Sequence, residues 1–128
     1  MKQHHTIALA LLVGIGLGGI AVQGLHAQAQ PPVFYVAEID VIDEAGYEKD
    51  FGVKSRAAVQ AAGGKFLVRG KAEMLKGEPP KNRIVIQQWD SMDKLKAWFN
   101  SAEQKELRDV QDKYSKVRIF AAQGLTSN

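Results

Sequence analysis

The order in which two periodicities alternate constrains this chain more than any other feature. "VFYVAEIDVI", Val33 to Ile42, is rich in β-branched and aromatic residues and predicts a strand. Asp43 follows as a helix N-cap. From Glu44 to Ala62 the apolar positions Tyr47, Phe51, Ala58 and Ala61 recur at steps of three and four and their multiples, which places them on one helix face. Gly63 and Gly64 stop that helix. "KFLVRGKAEML", Lys65 to Leu75, predicts a second strand with a bulge or bend at Gly70. "KGEPPKN" predicts a turn, and "RIVIQQW", Arg83 to Trp89, a third strand. Ser91 caps a second helical region with Leu95, Trp98 and Phe99 on one face. Asn100 and Ser101 interrupt it, and it resumes through Leu107 and Val110 before a last strand, Lys116 to Gln123.

The resulting order, β-α-β-β-α-β, is the ferredoxin-like α+β arrangement: one sheet with both helices on one face. Phe34, Val36, Leu67, Val85 and Trp89 are expected to make the other face too apolar to stay wet. A domain of about a hundred residues has a limited core of its own. The economical expectation is a homodimer, a dimeric α/β barrel in which two sheets pack face to face.

Residues 1–29 are read apart from the domain at 30–128. Lys2 and two histidines precede "TIALALLVGIGLGGIAV", Thr6 to Val22, and "LHA" and "AQA" follow. A basic start, an apolar stretch and an A-x-A site make a secretory signal peptide, with the cut after Ala29 or, second, after Ala27. The expectation is a periplasmic or secreted protein with no membrane attachment after cleavage. The rival is a retained anchor, which usually needs about 20 apolar residues; the glycines between Gly14 and Gly24 weaken it. Gly14, Gly16 and Gly19 match G-x-G-x-x-G, but that pattern binds a dinucleotide only between a strand and a helix.

Export would remove His4, His5 and His26, and the chain has no cysteine. The mature domain would then lack the side chains on which zinc, copper and haem sites usually draw. It would lack Ser-His and Cys-His nucleophile pairs as well. No metal and no cofactor are expected. The formal charge is +3, and acids interleave with the bases, so no one-sided basic face for nucleic acid is predicted.

"GGKFLVRG", Gly63 to Gly70, resembles the signature of the family called domain of unknown function 1330. "YVAEIDVIDEAGYEKDF" from Tyr35 is similar to that family's first strand and helix. "RIVIQQWDSMDKLKAWFNSAEQKELR" from Arg83 is similar to its third strand and second helix, with Trp98, Phe99, Asn100 and Ser101 at its W-Y-N-S position. The resemblance covers about Val33 to Leu125. It implies a dimeric α/β barrel, a superfamily that includes cofactor-independent monooxygenases, haem enzymes and small-molecule lyases. It implies no reaction.

Arg69 is the residue this reading singles out. Simple alternation sends Phe66 and Val68 to one face and Leu67 and Arg69 to the other. Arg69 would then face the space between two sheets. It would be an ion-pair partner of Glu38, Asp40 or a partner-subunit acid, the anchor of an acidic or carbonyl ligand, or an exposed arginine at an edge. Gly70 would let a ligand approach closely. Trp98 and Tyr35 are candidate pocket walls, each with a core role as the alternative, and Tyr35 and Tyr47 are candidate acid/base groups. Two functions follow. One is a small dimeric protein that binds an acidic or aromatic molecule. The other is a cofactor-independent monooxygenase or isomerase, which would need a positioned acid or base.

Overall fold

Strand β1 (Val33–Val41) lies inside the sheet because β-branched and aromatic residues alternate along it. It pairs antiparallel with β3 (Arg83–Trp89) on one side and with β4 (Ser115–Gln123) on the other. Strand β2 (Lys65–Lys71) adds to the far edge of β3, also antiparallel, giving the order β2-β3-β1-β4. This is the ferredoxin-like arrangement the sequence predicts. The computed structural model describes residues 30–126, and the compact unit runs from Pro31 to Leu125. The signal peptide and cut expected from the sequence fall outside the described residues. No helix among the described residues is long and apolar enough to cross a membrane.

The first helical segment starts where Asp43 caps it, its carboxylate accepting a hydrogen bond from the Gly46 amide at 3.1 Å. It comprises α1 (Glu44–Tyr47), a π-helical turn (Glu48–Gly52) and α2 (Val53–Ala62). Glu48, Gly52 and Val53 keep right-handed helical dihedrals, so the helix runs on through the π turn. Two glycines end it for different reasons. Gly63 takes φ +100°, the left-handed C-cap. At Gly64 a Cβ would lie 2.6 Å from Trp89 Cζ2 and 2.7 Å from Val59 Cγ1, so only glycine lets the chain turn from helix into sheet there. Helix α3 (Met92–Phe99) is capped by Ser91, as the sequence predicts, and α4 (Ala102–Tyr114) by Ser101, which the sequence marked only as an interruption.

The core lies between the helices and one sheet face. Val33, Tyr35, Ala37 and Ile39 are each at most 6% exposed. They stand opposite Trp89, Gln87, Val85 and Arg83 of β3, and directly opposed residues share a face. Trp98 stacks on Trp89 with ring centroids 4.9 Å apart and meets the Tyr35 ring edge-on at 5.7 Å. Val85 and Trp89 therefore point toward the helices, not to the open face where the sequence reading had them.

Strand β2 corrects that reading twice more. It ends at Lys71, because its partner β3 begins at the paired residue Arg83 and Pro79 and Pro80 have no amide to continue a ladder. The connection from 72 to 82 is irregular and is tied to β1. The Lys81 and Asn82 amides donate to Glu38 Oε1 and Asp40 Oδ1 at 3.2 and 2.9 Å. The bulge lies at Leu67, not at Gly70: Phe66 faces Gln87, while Val68 faces the next residue back, Ile86. The extra residue reverses the alternation beyond it.

The open face carries an apolar row across all four strands, Val68–Ile86–Val36–Phe120. Val68 and Phe120 are 43% and 48% exposed. Beside it Glu38 is buried and receives Arg118 Nε at 2.8 Å from the opposed position on β4.

Candidate functional site

A pocket of about 500 Å3, its open mouth included, lies between the sheet and the first helical segment. Strand alternation supplies one wall: Tyr35, Ala37 and Ile39 from β1, and Val85 and Gln87 from β3. Tyr47, Phe51 and Ser55 face them from the helix, and Phe66 closes a side. The π turn contributes Glu48, Phe51 and Gly52 to this wall. Such turns are frequent at functional sites because the wider ring re-aims side chains.

The mouth is basic. Arg56, Arg69, Lys71 and Arg83 gather there with Glu48 and Gly70. Two of these cations are already held. Arg83 Nη2 donates to both carboxylate oxygens of Glu44, at 2.9 and 3.0 Å. Arg56 pairs with Glu48 across Gly52, where a Cβ would lie 2.5 Å from Glu48 Oε2. The hydrogen bond from Arg56 holds the Glu48 carboxyl below its ordinary range, and the charges of Arg56, Arg69 and Arg83 add to the effect. Arg69 has no ion pair and no hydrogen bond among the described residues. Its guanidinium carbon sits 5.0 Å from the Phe66 ring centroid.

The floor is made of buried polar groups. Burial lifts the Tyr35 hydroxyl well above its ordinary pKa, with Tyr47 adding to the shift, so Tyr35 is a neutral phenol. Burial raises the Tyr47 hydroxyl too, against a hydrogen bond from Gln111 Nε2 at 3.2 Å. Gln87 Oε1 accepts from Trp89 Nε1 at 2.9 Å.

Of the four residues singled out from the sequence, Tyr35 and Arg69 line the pocket and Gly70 stands at its mouth. Trp98 does not line it. It backs Tyr35 inside the core, as its helical spacing with Leu95 and Phe99 also allows. Arg69 faces the helices rather than a second sheet, because the Leu67 bulge turns it over. Its predicted partners are taken or turned away: Glu38 holds Arg118, and Asp40 holds Lys81. Gly70 is not forced by crowding, since a Cβ there would meet nothing within 4 Å. Sequence reasoning missed Arg56, Arg83 and Gln87. Alternation with Val85 and Trp89 was the available signal for Arg83 and Gln87; the π turn left none for Arg56.

A four-stranded antiparallel sheet under helices, with a basic-mouthed pocket between the layers, defines a ferredoxin-like α+β domain. The family described as domain of unknown function (DUF1330) matches residues 32–125, and the chain belongs to that family. Among solved structures it is similar to a protein of unknown function from Rhodopseudomonas palustris, at 13% identity and TM-score 0.60, covering 77% of this chain and 85% of that one. A putative antibiotic biosynthesis monooxygenase from Caulobacter crescentus is 21% identical, at TM-score 0.55, with 75% and 92% covered. A cofactor-independent oxygenase from Streptomyces nogalater is 12% identical, at TM-score 0.56, with 76% and 96% covered. At these identities the likeness is one of fold. No curated protein matches the sequence.

Proposed function

We propose that this protein is an exported, homodimeric binding protein for a small, mainly apolar or aromatic molecule that carries an acid group. The observation that carries the reading is Arg69: a guanidinium at the mouth of an apolar pocket with no acid of its own. The planar five-donor fork suits a carboxylate, and Ala37, Ile39, Phe51, Phe66 and Val85 offer the apolar walls. The paired Arg56 and Arg83 add positive potential, which favours anion entry at low salt.

Calorimetry with simple aromatic carboxylates tests it. Arg69→Met should weaken binding by about 10- to 100-fold, the scale of a hydrogen bond to a charged group. Equal affinity of the two proteins would overturn the role of Arg69. Oxygen uptake on adding a bound acid would turn the binding protein into a cofactor-independent oxygenase.

Dimerisation is part of the same reading, supported by the uncovered row Val68–Ile86–Val36–Phe120. Export rests on the leader of the sequence. Mass spectrometry of protein from the cell envelope should find a chain beginning near Gln30, and an intact chain in the membrane would replace the signal by an anchor.

A further inference from the structure

The deeply buried end of the pocket is arranged to donate hydrogen bonds rather than accept them. Gln87 is 3% exposed, and its carbonyl oxygen is committed to the Trp89 indole N–H. An indole nitrogen can only donate, so the Gln87 amide cannot be turned round, and its NH2 group faces away from Trp89. That group has no acceptor among the described residues. Neither has the Tyr35 hydroxyl, although Tyr35 is 6% exposed. The fully enclosed polar atoms without partners are Trp98 Nε1 and Gln104 Oε1. The Gln87 amide nitrogen and the Tyr35 oxygen are not among them, so neither is fully enclosed, and both residues line the pocket. Gln87 and Tyr35 stand directly opposite each other on β3 and β1, so their side chains rise from the same face side by side. Unpaired donors in an apolar enclosure are costly unless a ligand or water accepts from them.

We infer that Tyr35 and Gln87 form a two-donor seat for a neutral acceptor oxygen, so that the ligand class is a keto or quinone acid: carbonyl at the floor, apolar body between, carboxylate at Arg69. The inference rests on the binding reading above and narrows it. A site built to donate discriminates strongly, because an analogue without the oxygen leaves its buried donors unpaired. Burial supports the arrangement by keeping Tyr35 in its protonated, donating form.

The test is calorimetry of the protein, as purified from bacteria expressing the full chain, with 4-acetylbenzoate and 4-ethylbenzoate. These differ mainly in the carbonyl. The keto acid should bind at least about tenfold more tightly, the scale of one buried hydrogen bond. Tyr35→Phe should cut that preference to a few-fold, by weakening 4-acetylbenzoate more than 4-ethylbenzoate. Arg69→Met should weaken both acids alike. Equal binding of the two acids by the unaltered protein would overturn the donor seat and leave the binding reading standing. Failure of both acids to bind would overturn the two together. The comparison of acids on the unaltered protein needs no variant to fold.

Discussion

The Arg69 guanidinium carbon lies 5.0 Å from the centroid of the Phe66 ring, although residues three apart on a regular strand point to opposite faces. The Leu67 bulge reconciles the two. Phe66 stays opposite Gln87, Arg69 comes opposite Val85, and both rise toward the helices. One inserted residue thus moves a cation from the open sheet face to the mouth of a pocket.

Arg69→Met should change stability by less than about 1 kcal/mol. Arg69 breaks no ion pair when it goes, and an exposed contact between a cation and an aromatic ring contributes about 0.5–1 kcal/mol. A denaturant melt measures this. A loss of about 3–5 kcal/mol would reveal a buried partner for Arg69.

Gly64→Ala should destabilise the fold by about 1–3 kcal/mol, the usual cost of forcing atoms into a packed site. Trp89 and Val59 occupy the space its Cβ needs. Gly70→Ala should be neutral or stabilise by up to about 1 kcal/mol, since that space is open and alanine costs less backbone entropy in a strand. Paired melts of the two variants check the contrast, and equal effects would refute it.

Acid should loosen the tie between β1, β4 and the 72–82 connection. The Arg118 hydrogen bonds hold the Glu38 carboxyl below its ordinary value of 4.5, and the Lys81 amide helps. A carboxyl whose folded pKa is depressed stabilises above its unfolded pKa, and that contribution fades as pH falls through the folded value. The stability gap between the protein and its Glu38→Gln variant should therefore be present at pH 7 and narrow below pH 4.5. A gap that stays constant down to pH 2.5 would mean Glu38 titrates normally.

Phe120→Lys should yield a folded monomer. Phe120 is 48% exposed in the single chain, so the change leaves the core intact, while a charge in the apolar row opposes sheet-to-sheet packing. Light scattering at micromolar concentration reads the result. A monomer before the substitution would remove the dimer from the proposal and leave the pocket, which one chain builds by itself.

Much of the fold was legible because its signals are local. Asp43, Ser91 and Ser101 cap the segments that their spacing predicts, and Gly63 and Gly64 end the first helix. Cap chemistry and helical period act within a few residues, and one sequence carries them in full. The candidate site was legible only in its parts. Tyr35 and Arg69 stood out, but which of their two faces met the helices did not. A bulge is a mismatch between two strands, and nothing in "KFLVRG" alone says where β3 will skip a residue. The π turn that brings Glu48 and Arg56 to the mouth, and the Arg118 that takes Glu38 from 80 residues away, likewise depend on neighbours that only the assembled sheet supplies. Local order was thus written in the chain, and the side of the sheet on which the chemistry stands was decided by strand pairing, because a shift of one residue turns every later side chain over.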